Sequence, residues 1–369
     1  MATRIYTGVG GKARKVNRIY VGVDGKARSV KKVYVGVNGK ARLVYKIIYK
    51  LRKVKDALSI APISHGRVYL TSASVGNYAL FAGGCDKDTR YSTVDAYDSQ
   101  FTHILPSALC DGKIYPIGGN IGNHALIVGG TNTSNLSNNT GNTTTVDVYD
   151  TSLIRTSGTK LYNDVSAGIY AANKKYALFG RGDSNNSTSN IGTAYDNSLI
   201  AHKIYVTDSG GLGSGASVGK YALFAGGTLY EKKVDAYDET LTKRRISDAT
   251  CYRSYSSGVM TDHYAIFGGN LYSKYEVDVY NENLTKVSAA NLLHSSHSTC
   301  GVSLKGFAVI QCSNYVQYYD DNLTIQLSEN MNDSRYNAKA AIAGNYIIVA
   351  GGRIKDSNFI TPINAYMVN

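Results

Sequence analysis

The stretch "YALFAGGCDKDTRYSTVDAYD" (78–98) decides the fold of this chain. A five-residue apolar run ends in a Gly pair, and a short alternating phrase with a tyrosine and two aspartates follows. Runs this short, bounded by glycine and polar residues, read as strands. The first phrase returns as "HALIVGG" (124–130), "YALFGRG" (176–182), "YALFAGG" (221–227), "YAIFGGN" (264–270), "FAVIQCS" (307–313) and "YIIVAGG" (346–352). The second returns as "VDVYD" (146–150), "GTAYD" (192–196), "VDAYD" (234–238), "VDVYN" (277–281), "VQYYD" (316–320) and "INAY" (363–366). Seven copies at a mean period of about 45 residues lie in the range of propeller blades.

Each copy reads as four strands. In the fifth, "SSGVMT" is the inner strand, "YAIFGG" the second, "EVDVYN" the third and "LTKVSA" the fourth. One four-stranded sheet cannot bury both faces, so the blades must stack around an axis. The last copy stops after its third strand, and the segment near 58–64 is expected to supply the missing outer strand and remove the open edge. The fold class is therefore all-β: a seven-bladed β-propeller over 58–369, a linker at 47–57 and a small basic hairpin module at 1–46. The Gly pair after an apolar strand, followed by a tyrosine-bearing third strand, resembles the kelch-repeat family of propellers over about 56–369. The chain departs from that family in having no tryptophan and in "IQCS" at the sixth Gly pair.

Charge separates the two parts. Of the formal +13, residues 1–55 hold sixteen Lys/Arg against one acid, Asp24, and residues 56–369 hold 24 basic against 26 acidic residues. The basic part repeats one phrase: "RIYTGVGGKARKV" from Arg4, "RIYVGVDGKARSV" from Arg18 and "KVYVGVNGKARLV" from Lys32. Gly-Gly, Asp-Gly and Asn-Gly at its centre favour two-residue primed turns, so each copy is expected to form a β-hairpin. About 40 residues with no clean apolar face need a partner surface. A solvated tail and a nucleic-acid arm are the competing readings. Single aromatics and the lack of a known nucleic-acid motif argue against the arm.

Tandem "YVGVDGKAR" phrases resemble those at the front of tail- and baseplate-associated proteins of phages and prophages of Gram-positive bacteria. That resemblance implies attachment to a virion in several copies, with Tyr6, Lys12, Arg14, Tyr20, Lys26, Arg28, Tyr34, Lys40 and Arg42 as docking residues toward other tail or baseplate proteins. It also implies a virion protein made in a bacterial cytoplasm. The start "MATRIY" lacks the apolar run of a secretory signal, and no stretch of about 18 apolar residues reads as a membrane span.

No catalytic set, metal site or cofactor emerges. The five cysteines are scattered without a CxxC and read as buried free thiols. "GGLGSGASVGK" (210–220) fails the phosphate-loop spacing and reads as a turn between strands. "HSSH" (294–297) lacks a third metal ligand, and "RGD" (181–183) stands at a Gly-Gly position. The pairs Asp95/Asp98, Asp147/Asp150 and Asp235/Asp238 recur once per blade, which points to turn-forming hydrogen bonds rather than catalysis.

Variation between blades is more informative. Second-to-third and fourth-to-first loops share one face of a propeller, and loops on a rigid scaffold carry function. Arg90, Tyr91, Asn135, Asn139, Asn185, Tyr230, Tyr252, Arg253, Tyr272, Tyr275, Arg335, Tyr336 and Arg353 lie there and suit host-surface glycan. The expected function is a non-enzymatic tail-associated structural protein. A glycan-processing propeller enzyme and a cytoplasmic kelch-type scaffold with a nucleic-acid-binding arm are the alternatives.

Overall fold

The computed structural model describes residues 6–368 apart from 10–11, 16–19, 24–25, 30–31, 38–39, 47–49, 55–59, 134–140, 183–189, 208–210, 228–231, 271, 273–274, 296–297 and 355–358, with side chains from residue 50 onward. The chain divides into a unit of residues 1–50 and a unit Leu51–Val368. In the first, Tyr6–Val9 pairs with Lys12–Lys15, Tyr20–Val23 with Lys26–Ser29, and Lys32–Val37 with Lys40–Lys46, all antiparallel.

The second unit is a seven-bladed β-propeller of four-stranded antiparallel sheets. The inner strands are Thr71–Val75, Ile117–Ile121, Ile169–Ala172, Ser214–Val218, Ser257–Met260, Thr299–Leu304 and Lys339–Ala343. The second strands carry the apolar phrase and are almost wholly buried: Leu80, Leu126, Leu178, Leu223, Ile266, Ile310 and Ile348 each face a neighbouring sheet. Period-2 alternation is lost there because both faces of a blade are covered. The inner strands of blades one and seven pack together, so the ring closes.

The closing strand differs in place from the sequence expectation. Leu51–Lys53, within the expected linker, pairs with Asn364–Val368 as the outer strand of blade seven. Leu51 is buried, and Lys53 Nζ donates to Asn330 O and Asn332 Oδ1. The segment near 58–64 instead occupies the approach to blade one: Ile63 N–H donates to Thr361 O, and Ser64 donates to Asp95. An outer strand must come before that approach, which moves it upstream.

One residue type fastens every blade to the one before it. Tyr97, Tyr149, Tyr195, Tyr237, Tyr280, Tyr319 and Tyr366 of the third strands are all buried. Their hydroxyls donate to Ala61, Ser107, Thr159, Tyr205, Ser247, Ala290 and Glu329 carbonyls, respectively. A large ring fills the space between sheets, and its hydroxyl satisfies a carbonyl that lacks a ladder partner.

Two kinds of glycine are required near the axis. A Cβ on Gly118 would lie 2.1 Å from Ser72 O, and one on Gly215 1.9 Å from Tyr170 O, so these inner strands approach with backbone alone. Gly83 and Gly84 turn the chain out of the second strand with φ of 67° and 92°.

The aspartate pairs divide their work. Asp98, Asp150 and Asp238 cap the third-to-fourth turns as expected, each accepting backbone N–H bonds from two and four residues on. Asp95, Asp147 and Asp235 make no such turn. They are buried and paired with cations: Arg67 to Asp95 at 2.7 Å, Lys113 to Asp147 at 3.1 Å and Arg181 to Asp235 at 2.6 Å. Arg253 pairs with Asp278 in the same way. Burial pushes these carboxylates up, but the facing cations and donated hydrogen bonds more than reverse it, leaving all four below the ordinary range.

All five cysteines are free, yet only Cys300 and Cys312 are buried; Cys85 and Cys251 are half-buried and Cys110 is exposed in the loop after the first blade's outer strand. No helix among the described residues is long and apolar enough to cross a membrane.

Candidate functional site

The loop face offers two clusters. In blade one, Tyr91 stacks on His65 with ring centroids 4.5 Å apart and donates to Asp86 at 2.5 Å. That hydrogen bond is the main reason the Asp86 carboxyl lies below its usual range. Arg90 is half-buried beside Tyr91, and its Nε has no hydrogen-bond partner among the described residues. Between blades four and five, Lys232 Nζ lies 5.2 Å above the Tyr252 ring. The neighbouring Cys251 is bonded to Asn270, whose Oδ1 accepts from Tyr272 N. Tyr275 holds the next loop through its carbonyl and Leu292 N. Tyr272 and Tyr275 are each 52% exposed. Tyr336 and Arg353 form a third, smaller station, joined by a backbone bridge with the Arg353 side chain exposed.

Two loop-face candidates are removed by the structure. Arg253 and Arg335 are fully buried. Arg253 bonds Asp278, Gly269 O and Glu276 O, while Arg335 bonds Asp333, Gly351 O and Pro362 O. Their guanidinium groups are spent inside the blades, where an arginine satisfies several carbonyls at once. Asn135, Asn139, Asn185 and Tyr230 lie outside the described residues, as do the side chains of Tyr6, Lys12, Arg14, Tyr20, Lys26, Arg28, Tyr34, Lys40 and Arg42. Asp183 of "RGD" and His297 of "HSSH" also lie outside them, and no group of three His, Cys, Asp or Glu among the described residues is placed to hold a metal ion.

Sequence reading missed the axis. Just before six of the seven inner strands stands a residue with left-handed backbone: Tyr69, Tyr115, Ala167, Leu212, Tyr255 and Asn337 have φ between 51° and 66°. Consecutive members bond around the ring, Tyr115 N to Tyr69 O, Ala167 N to Tyr115 O, Leu212 N to Ala167 O and Tyr255 N to Leu212 O. Such backbone costs about 1–3 kcal/mol per bulky residue, and this run of hydrogen bonds through blades one to five holds it in place. The Tyr115 hydroxyl is bonded to those of Tyr69 and Tyr255, from blades on opposite sides of the axis. These tyrosines meet across the end of the channel from which the inner strands start.

Beyond them lies a cavity of about 530 Å³ lined entirely by inner strands and the residues leading into them. Its polar lining includes Ser72, Ser74, Asn120, Tyr170, Ser217 and Ser303, and Lys339 is its one charged residue. Burial pushes the Tyr170 phenol up to about 12, and lowers the Lys339 ammonium from its ordinary value. Six of the inner strands open on Thr, Ile or Ser, and the seventh on Lys339.

This geometry defines a β-propeller with a loop face bearing aromatic side chains and a polar central channel. No family model and no curated protein matches the chain. Among solved structures 532 chains match. One is the structure of YjhT, 10% identical with a TM-score of 0.54, the match covering 84% of this chain and 99% of that one. At this identity the likeness shows the shared propeller fold and nothing of the chemistry.

Proposed function

We propose that this chain is a tail- or baseplate-associated protein of a phage or prophage particle, with a kelch-type propeller that recognises a host-surface glycan. The observation that carries the reading is the segregation of charge: sixteen cations against one acid in residues 1–55, in three copies of one phrase, ahead of a body close to neutral. A foot of that kind is suited to an acidic partner surface within a larger assembly, with docking weakened by salt. The head is suited to sugar through Tyr272 and Tyr275, whose rings are half exposed and whose hydroxyls can hydrogen-bond a sugar rim. Multiple copies on one particle would give useful avidity even to a weak site.

The test pairs two measurements on the full chain. A glycan array should give binding that Tyr272→Ala with Tyr275→Ala abolishes. A pull-down from lysate of an induced lysogen should recover particle proteins at low salt and lose them when Lys12, Arg14, Lys26, Arg28, Lys40 and Arg42 are changed to Gln. Recovery of nucleic acid in place of particle proteins would overturn the foot. An array silent for every host glycan would overturn the head.

A further inference from the structure

We infer that the central channel is a second binding site, for one small oxyanion-bearing molecule, a carboxylate or a phosphate, held by the Lys339 ammonium. It is separate from the loop-face stations, because the Tyr69–Tyr115–Tyr255 cluster stands across the channel end on that side.

The argument begins with position. The first inner-strand residue is Thr71, Ile117, Ile169, Ser214, Ser257 or Thr299 in six blades, each buried, and Lys339 in the seventh. Lys339 alone is partly exposed to the cavity, and no acidic or second basic side chain lines that space. Elsewhere in the propeller, buried cations meet carboxylates: Arg67, Lys113, Arg181, Arg253 and Arg335 all do. Lys339 has no ion pair among the described residues. Its neighbours are Ser72, which donates to Ala340 O at 2.7 Å, and the Cys300 thiol, which feels its charge and is pushed up to about 12 by burial.

An ammonium partly withdrawn from water, with no carboxylate paired to it among the described residues, is costly to keep. A methionine or threonine at this position would fill the same space at no such cost, so the charge implies a counter-charge supplied from outside. Two hydroxyls of the lining fit that role: Ser74 and Ser303 accept from Ile342 N and Met260 N, which fixes their oxygens and leaves their O–H protons to donate to an anion. Ser72, Ser217 and Tyr170 instead spend their protons on Ala340 O, Ala172 O and Asn120 O and contribute only shape. The volume of about 530 Å³ lies within the range of small-molecule sites and suits an occupant of sugar or nucleotide size. Entry is from the opposite end, where Asn120 and Met260 are exposed.

The probes are acetate and inorganic phosphate, titrated separately into the full chain at low chloride and followed by calorimetry. Wild type should take up one equivalent of at least one of them, and the tighter of the two identifies the source of the oxyanion. Lys339→Met should weaken that binding by about tenfold or more, the loss of roughly one charge-assisted contact, and Lys339→Arg should keep it. The same anion should raise the melting midpoint of wild type and leave that of K339M unmoved. Should K339M melt below wild type, the ¹³C shift of Lys339 in reductively methylated wild type replaces it, and must move on adding the anion. Absence of uptake of both anions, equal uptake by K339M with an unchanged fold, or an unmoved Lys339 shift each overturns the proposal.

Discussion

Arg181 stands in blade three, yet its guanidinium lies 2.6 Å from Asp235 of blade four. Other blades draw this cation from the residue four places before their own inner strand, as with Arg67, Lys113 and Arg253. In blade four that residue is Gly210, so the charge comes from next door. Blade three, which has Val165 there, has Thr193 where Asp235 would stand; blade six has Ser295 and Gln317. Blade seven keeps Arg335 but has Asn364, and Asp333 takes over the pairing. Every buried third-strand carboxylate is therefore met by a cation, from its own blade or, for Asp235, from the blade before, as expected when a lone buried charge is costly.

Arg181→Gly would restore the Gly-Gly pair of the repeat and relieve a side chain held at φ 51°, yet it would leave Asp235 buried with only Thr207 and Arg245, 3.9 Å away, to meet its charge. The poorly compensated charge should win, with a loss of about 3–5 kcal/mol by urea denaturation. Adding Asp235→Thr copies the neutral arrangement of blade three and should recover more than half of that loss. A double variant no better than R181G would mean that the arginine works through the carbonyls of Phe224, Gly226 and Lys233 instead.

Tyr149→Phe removes one hydroxyl and no ring. Ser107 O, which accepts from it at 2.7 Å, then loses a partner at a junction between blades one and two. The expected cost is about 1–2 kcal/mol. Tyr205→Phe, on a ring that is largely exposed, should stay within about 0.5 kcal/mol of wild type. Equal effects would show that the third-strand tyrosines act by packing alone.

Acid should find the same carboxylates. Asp95, Asp147, Asp235 and Asp278 are held below the ordinary range in the folded chain and titrate near about 3.9 once unfolded. Their stabilisation is fully present above the unfolded value and is lost as pH falls through the folded one. Urea midpoints should be nearly level between about pH 5 and 7 and drop steeply below about pH 4. The variant carrying both R181G and D235T, with one such carboxylate fewer, should show a shallower drop.

Blade number and strand order were legible because the second strand repeats as an apolar run closed by glycine, a local signal that survives changes of individual residues. The ion pairs were not, since Arg67 and Asp95 are 28 residues apart and meet only once the blade has folded. Asp95 and Asp98 look alike in sequence, but side-chain alternation turns one into the core and leaves the other at the turn. Arg253 and Arg335 were misplaced for the same reason: beside half-buried Tyr252 and Tyr336 they read as loop residues. The left-handed positions were hidden more deeply, because Tyr69, Tyr115 and Tyr255 share that backbone conformation with Ala167, Leu212 and Asn337, residues with no side-chain chemistry in common. Lys339 could have been found by aligning inner strands, where it is the only charged residue at its position.

The closing strand sets the last prediction. Removing residues 1–50 leaves Leu51–Lys53 in place on Asn364–Val368, and the melting midpoint of the propeller should be essentially unchanged. Removing 1–55 takes away that strand, the buried Leu51, the Lys53 bonds to Asn330 and Asn332, and the Val54 bond to Ala365 O. Blade seven would then end in an open edge on Asn364–Val368, a template for pairing with another chain. The shorter chain should melt several degrees lower and elute partly as oligomers in size-exclusion chromatography. Had the outer strand come from the segment near 58–64, the two truncations would behave alike, so a matched pair of melting curves separates the two closures directly.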